Sequence, residues 1–398
     1  MSVSENLDMR CVLTVLLLTS VAVGCAEGPA SVDQVLRVTE DTVGGVVQVR
    51  NSGNPPEWRL EPVLRLGTVE GGPEQFGRIR SLLADGEGNV YIAENFAHEV
   101  RVFGPDGNHI RTIGRQGQGP GEFGDLYSLA WLGENLAAMD PANARIATLS
   151  RGGEWLGSTQ HFAITGPASI IRLYPIGTEG FYAPFVDSNR SGLPFFRVTT
   201  SGSADTIPAP QRPEGAESTG VVCHRPDGGI QGISLPDGPG LTYAFPPAGG
   251  VVAVSWTDEY RINLLHHGGD TLRVITRERP GIPYPDSLWH EGMEPFLELR
   301  ENFPGARCEP SSPERPRYRA PLRHLVFDVN GELWVEAAVE DGFQWDVFDA
   351  NGRLLGSAKA PARAQRIPPY VRDGYLYQVE VDEMGVEHVG VYRLAVRS

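Results

Sequence analysis

The sequence predicts an all-β fold built from one repeated, four-stranded antiparallel unit, and three observations carry that prediction. Gly and Pro number 48 and 32 among 398 residues, a composition that favours many short turns over long helices. Apolar and polar residues alternate in short runs such as Val100-Arg101-Val102-Phe103, each ending on turn chemistry. These runs recur in the same order from about residue 75 to the end, with a period of about 40–50 residues. One small sheet cannot bury both of its faces, whereas a ring of sheets buries each face against its neighbours, and that is the logic of a β-propeller.

Residues 82–114 show the unit most cleanly. Leu82 to Ala84 and Val90 to Ala93 are two strands, joined through Asp85-Gly86-Glu87-Gly88-Asn89, which supplies the positive φ a tight reversal needs. Val100 to Phe103 is the third strand, Pro105-Asp106-Gly107-Asn108 the next turn, and His109 to Gly114 the fourth strand. Ile146, Thr148, Leu149 and Gly153 repeat the spacing of Val100, Val102, Phe103 and Gly107, and Ile262, Leu264, Leu265 and Gly269 repeat it again. Leu325 to Val335 matches the first strand pair, and Val347 to Gly352 the third strand and turn. Six units result, at about 75–115, 121–160, 166–208, 241–277, 321–358 and 364–396.

The last unit has three convincing strands. Trp58 to Gly67 ends like Ile110 to Gly114, so an N-terminal strand is expected to complete the final blade and remove an open edge. Gly45 to Arg50, within the β-rich stretch 31–50, has no place in this scheme. Two insertions interrupt the repeat. Residues 209–240, rich in Pro, Gly and polar residues, read as a loop. Residues 278–320 hold one helical run, with Asp286 or Ser287 as its cap and Leu288, Trp289, Met293, Phe296 and Leu297 on one face. This helix is expected either to pack on a blade edge or to form a lid over one mouth of the ring.

The acidic balance, 34 Lys plus Arg against 50 Asp plus Glu for a formal charge of -16, argues against nucleic acid as a partner. Lys359 is the single lysine, so no phosphate-binding loop ending in Gly-Lys is present. Residues 11–23 form an apolar run too short for a bilayer, which needs about 20 residues, and suited to a signal peptide. Translation from Met9 would place Met-Arg directly before it. Ala22-Val23-Gly24-Cys25 resembles the lipobox of bacterial lipoproteins. That resemblance implies a signal peptide over 1–24, diacylation of Cys25 as the mature N-terminus, and a tether with an N-terminal β segment over 25–57. Ala26 after the cysteine implies the outer membrane. A cleaved secretory signal with an incidental cysteine is the alternative. Export also permits a disulfide between Cys223 and Cys308, one in each insertion, with two unpaired thiols as its alternative.

Gly117 to Phe123 and Gln75-Phe76-Gly77 precede the second and first units. With the Asp-x-x-Gly-Asn turn and the Val-x-Val-Phe-x-Pro-Asp-Gly turn, they resemble the NHL repeat. The whole mature chain is similar to six-bladed β-propeller lipoproteins of bacteria, strongly over about 75–160, moderately at 321–358 and weakly over 166–280, with the propeller itself expected over 58–398. The resemblance implies the fold and leaves function open, because propellers host binding, scaffolding and several enzyme activities.

Candidate chemistry is sparse. Gly119 to Gly124 matches a dinucleotide fingerprint in letters, but Pro120 interrupts it and β pattern follows. His266-His267 sits at a turn, and adjacent strand residues point to opposite faces. His290-Glu291 lacks the second histidine of a zinc protease motif. Asp328-Val329-Asn330-Gly331 reads as a hairpin turn and not a calcium loop. Glu94 and Asp140 each follow a second strand, either as solvated strand ends or close to the central channel. Trp131, Trp155, Trp256, Trp334 and Trp345 read as packing between blades. The expectation is therefore an exported, lipid-anchored, non-catalytic module for a protein, peptide or glycan, with no cofactor and no resident metal. The alternative is a metal-dependent lyase or hydrolase with its ligands converging on the axis. Lipidation makes a direct prediction: Cys25→Ala releases the protein from membranes on fractionation, and unchanged membrane retention counts against acylation.

Overall fold

The computed structural model describes residues 35–160, 169–170, 172–186, 195–199, 204–207, 220–266 and 269–396. Cys25 and His267 lie outside them. The described chain forms a six-bladed β-propeller. Blade 1 comprises Ile79–Ala84, Val90–Glu94, Glu99–Phe103 and His109–Ile113, and blade 2 Ser128–Leu132, Asn135–Asp140, Arg145–Leu149 and Trp155–Gln160. Blade 3 starts with Ser169–Ile170 and Tyr174–Ile176, both paired to Gly180–Val186, and continues through Phe195–Thr199 and Ala204–Ile207. Blade 4 contains Leu241–Ala244, Val252–Trp256, Arg261–Leu265 and Thr271–Arg277, and blade 5 Leu322–Phe327, Leu333–Val339, Gly342–Phe348 and Leu354–Lys359. Blade 6 contributes Tyr370–Arg372, Tyr375–Val381 and Glu387–Ala395.

Three N-terminal strands precede the ring: β1 (Arg37–Val43), β2 (Val46–Ser52) and β3 (Glu57–Leu66). β3 is the fourth strand of blade 6. It runs antiparallel to Glu387–Ala395 from the Arg59–Ala395 pair to the Leu66–Val389 pair. Its start also runs parallel to the outer strand of blade 5, with Glu57 beside Ser357 and Trp58 beside Ala358. Glycine is required at 356, where a Cβ would come within 2.3 Å of the Trp58 ring. The stretch that had no place in the repeat also gains one. β1 and β2 form a hairpin whose second strand runs parallel to Thr271–Arg277, so the sheet of blade 4 has six strands and not four. Asn51 fastens this addition: it is buried, its amide donates to Thr276 O and Gly352 O, and its side-chain oxygen accepts from Leu354 N.

The core lies between blades. Leu66, Ile79, Leu82, Ile92 and Phe103 pack with Val379 and Val389 across the blade 6–blade 1 joint. Val100, Ile113, Phe123, Leu136 and Leu149 fill the next joint. Trp334 and Trp345 are fully buried together. Polar groups staple the same joints: Leu129 N donates to Ser81 Oγ at 3.1 Å and Leu173 N to Ser128 Oγ at 3.2 Å. Glu94 and Asp140 are neither solvated nor axial. Both are buried, and each accepts backbone N–H bonds from the segment entering a blade, Gly77 and Arg78 for Glu94 and Gly124 and Asp125 for Asp140; Glu94 also accepts from Ala97 in the turn that follows it. The turn aspartates hold their hairpins likewise, Asp328 accepting from Asn330 N and Glu332 N at 2.8 Å.

The insertions depart from expectation in two respects. The first is not all loop: Gly220–His224 and Ile230–Ser234 pair with each other and, through the former, with Arg307–Glu309 of the second insertion. Cys223 faces Cys308 across that pairing with Cα atoms 4.0 Å apart, and their sulfurs are bonded. The helix, α1 (Asp286–Asn302), is capped by neither Asp286 nor Ser287; Pro285 is its N-cap and no side chain caps it. Its buried residues are Gly292, Phe296 and Leu299, whereas Leu297 faces solvent. Among the described residues no helix is long and apolar enough to cross a membrane.

β3 generates a stability test. Leu66 is 1% exposed and packs in the joint between the last and first blades, so Leu66→Ala should cost about 2–5 kcal/mol in denaturant unfolding. Val63, on the same strand but 52% exposed, should tolerate Ala within about 0.5 kcal/mol. Equal effects would mean that β3 is not packed as described.

Candidate functional site

Antiparallel pairing fixes which loops meet at each end of the axis. Every inner strand enters from one face, where the blade-to-blade connections also lie, and ends at the first hairpin turn on the other face. A cavity of about 680 Å³ occupies the axis, lined by the inner strands of all six blades. Its rim includes the turn residues Asp85, Glu134, Gly177, Pro247 and Val329, which stand at the far ends of those strands. No residue of α1 lines it, so the helix packs away from this cavity against the first insertion, where Phe296 and Leu299 meet Val221 and Ile233.

The wall is rich in guanidinium groups. Six arginines line it, Arg80, Arg151, Arg172, Arg323, Arg366 and Arg372, against two carboxylates, Asp85 and Glu134. Four of the six are answered. Arg151 pairs with Glu134, Arg366 with Glu387, Arg372 with Asp373 at 3.2 Å, and Arg323 with Glu336 at 2.9 Å. Arg80 and Arg172 meet no carboxylate among the described residues. Arg80 lies over the Tyr127 ring at 4.5 Å, and its buried Nε has no hydrogen-bond partner among the described residues. Burial lowers the pKa of Arg172, an effect opposed by its phenol neighbours Tyr174, Tyr243 and Tyr127 and reinforced by Arg363. A guanidinium remains charged regardless.

Local backbone irregularity aims two of these side chains. The pairing register of blade 1 slips between Ile79 and Ser81, and that of blade 5 between Leu322 and His324. Arg80 and Arg323 are therefore the extra residues of β-bulges, the device by which a strand re-aims a side chain. Tyrosines complete the wall. Tyr174 lies 6.2 Å from Tyr243 and 4.8 Å from Phe245 in ring-centroid distance. Burial raises the phenol pKa of Tyr174 and Tyr243, so both are neutral O–H groups across the physiological range.

Beside the cavity stands a rigid charged cluster. Glu336 is fully buried and takes bidentate pairs from Arg323, at 2.9 and 3.0 Å, and Arg363, at 3.2 and 2.6 Å. Burial alone would raise the Glu336 carboxyl; the Arg323 hydrogen bond and the Arg363 charge outweigh it and bring the pKa down to about 2. His324 pairs across the strands with Glu336 and also lines the cavity. Burial first, then the Arg363 charge, pushes its pKa down to about 3, so the imidazole is neutral at physiological pH.

The residues singled out from sequence lie elsewhere. His266 is exposed at its turn, Cys223 and Cys308 belong to the insertion sheet, and Trp334 and Trp345 are core. Trp131 alone among the five tryptophans lines the cavity, its indole N–H donating to Ala84 O at 3.0 Å. No group of three His, Cys, Asp or Glu among the described residues is placed to hold a metal ion. The axial wall was missed, although a signal existed: Ile79-Arg80-Ser81-Leu82, Leu126-Tyr127-Ser128-Leu129 and Leu322-Arg323-His324-Leu325 place Arg, Tyr and Arg at or just before the start of three inner strands.

Residues 75–162 match a family described as 6-bladed beta-propeller. Among solved structures, a member of the DUF4221 family from Bacteroides vulgatus superposes with a TM-score of 0.53 at 12% identity, covering 87% of this chain and 99% of that one. Virginiamycin B lyase from Staphylococcus aureus gives 0.42 at 12% identity, covering 85% and 100%. Regucalcin from Agrobacterium tumefaciens, a calcium-binding protein, gives 0.42 at 10%, covering 87% and 97%. No curated protein matches the chain. At these identities the likeness concerns the fold alone.

The cluster beside the cavity sets an acid limit on stability. An unfolded Glu titrates near 4.3 and an unfolded His near 6.5. Both folded values are depressed, so the unfolded chain takes up protons first and stability falls as pH falls. His324→Gln should flatten the decline between about pH 6.5 and 3, and Glu336→Gln the decline below about pH 4.3. At pH 7 Glu336→Gln should also cost about 3–5 kcal/mol, because buried Arg363 loses its partner. Urea unfolding across pH measures both effects, and an unchanged curve in either variant contradicts its assignment.

Proposed function

We propose that this chain is an exported, lipid-anchored binding protein and that its ligand enters the axial channel. The observation that carries the reading is a cavity of about 680 Å³ walled by every blade of the ring. That volume falls within the range of about 300–1,000 Å³ typical of small-molecule sites. Apolar and aromatic surface set with six guanidinium groups makes up its wall, which suits recognition of a ligand. A resident metal would need three converging ligands, and the described axial residues do not assemble them.

The apolar run before Gly24-Cys25 and the NHL-like turns support an address in the bacterial envelope, with the outer membrane following from Ala26. Two acyl chains on Cys25, with a third on its amino group, would give stable retention, whereas a single chain anchors marginally. The sequence predicts a protein, peptide or glycan partner; a concave site of this size favours a small molecule or a short protruding segment of such a partner.

A neutral fluorescent probe, phenylnaphthylamine, tests the channel. Thr242, on the wall contributed by blade 4, is half-buried and surrounded by the site. The probe should bind the wild-type protein at one site and lose that binding in Thr242→Trp, with melting temperature and circular dichroism unchanged. Probe binding that Thr242→Trp leaves intact would place it elsewhere and contradict the reading.

A further inference from the structure

We propose that the channel is selective for a small organic anion, its oxyanion group held by Arg80 and Arg172 and its aromatic or planar body lying against the tyrosine wall. This rests on the channel-binding reading above and adds the class of ligand.

The whole chain carries a formal charge of -16, yet the axial wall holds six guanidinium groups and two carboxylates. Acidic side chains are abundant enough to neutralise every one of these arginines. Four of the six are indeed paired, to Glu134, Glu387, Asp373 and Glu336. The two left without a carboxylate among the described residues, Arg80 and Arg172, are linked through Tyr127, which carries the Arg80 guanidinium over its ring and lies in the electrostatic surroundings of Arg172. Withdrawing a cation from water without a counter-charge destabilises the fold. An oxyanion supplied from outside would offset that cost, and guanidinium forks match its geometry.

The rest of the wall agrees. Tyr174 and Tyr243 present neutral O–H donors, and His324 is an uncharged imidazole, so none of them introduces negative charge. Arg323 is held off the ligand by its bidentate bond to Glu336, which leaves Arg80 and Arg172 as the available cations. The rings of Tyr174, Tyr243 and Phe245 cluster within 6.2 Å of one another and offer a face for a planar group. A concave space of about 680 Å³ is large enough for such a molecule.

The test compares two probes of nearly the same shape, anilinonaphthalene sulfonate and neutral phenylnaphthylamine, by fluorescence titration of the folded protein. The sulfonate should bind the wild-type protein at one site at least tenfold more tightly than the neutral probe. Arg172→Gln and Arg80→Gln should each weaken the sulfonate roughly tenfold to hundredfold, the range for losing a charged hydrogen bond, while leaving the neutral probe unchanged. Arg172→Gln should also melt no lower than wild type, since it removes a half-buried charge that has no carboxylate partner among the described residues, and this separates a ligand-binding role from a structural one. Equal binding of the two probes, both abolished by Thr242→Trp, would overturn anion selectivity and leave the channel-binding reading standing. Probe signals indifferent to Thr242→Trp would overturn both.

Discussion

The pairing of Glu57–Leu66 with Glu387–Ala395 joins the two ends of the ring, and the axis exists because of it. Each blade presents two apolar faces, and a sheet of this size is marginal alone. Burial of both faces requires a neighbour on each side, a condition that a row of sheets leaves unmet at its two ends and a circle satisfies throughout. Leu66, Val389 and Val391 on the closing pair meet Ile79, Leu82 and Ile92 of blade 1 in one cluster, so the joint made last in space is packed like the others. The same strand reaches blade 5 through Trp58, whose ring occupies the room left by Gly356. Closure therefore sets the distance between inner strands on opposite sides of the axis, and with it the position of every channel side chain.

The charges on the axis divide into those fixed by the fold and those left for something else. Glu336, Arg323 and Arg363 form a saturated cluster whose members cannot be altered singly without stranding a buried charge. Asp346 is of the same kind at the joint of blades 4 and 5, accepting from Tyr260 at 2.7 Å and Ser357 at 2.6 Å and pairing with Arg277. Glu94 and Asp140 bind backbone donors instead. Among the six arginines of the axial wall, Arg80 and Arg172 are the two that meet no carboxylate among the described residues, and they sit where a ligand would meet them. Stability given up at one place and recovered elsewhere is the usual mark of a functional site.

Local pattern made much of the fold legible. Asp85 to Asn89 and Asp328 to Glu332 announce hairpins because an aspartate accepting its own turn's N–H groups is encoded within five residues. The closing strand was readable because Trp58 to Gly67 echoes the outer strand of blade 1 and the last unit lacks one. The β1–β2 hairpin was not, since its parallel partner, Thr271–Arg277, lies more than two hundred residues away and parallel pairing leaves no turn in the sequence. Strands in the first insertion were hidden by a Pro- and Gly-rich composition; their partner, Arg307–Glu309, belongs to the other insertion. Leu297 matched the helical face in spacing, but Gly292 and Leu299, not Leu297, turn to the insertion core. The channel wall was obscured for a further reason. Arg80 and Arg323 read as solvated strand residues until the bulges at Ile79/Ser81 and Leu322/His324 re-aim them, and convergence from different blades has no one-dimensional signature.

Native-state hydrogen exchange of the backbone amides measures the closure directly. If the first strand completes the last blade as a structural necessity, the amides of Glu57–Leu66 that bond to Glu387–Ala395 exchange only through global unfolding, with the same free energy and denaturant dependence as those of Val90–Glu94 in blade 1. Exchange of the Glu57–Leu66 amides through a separate, low-energy opening, with blade 1 still protected, would show that the ring stands without that strand and would contradict the account.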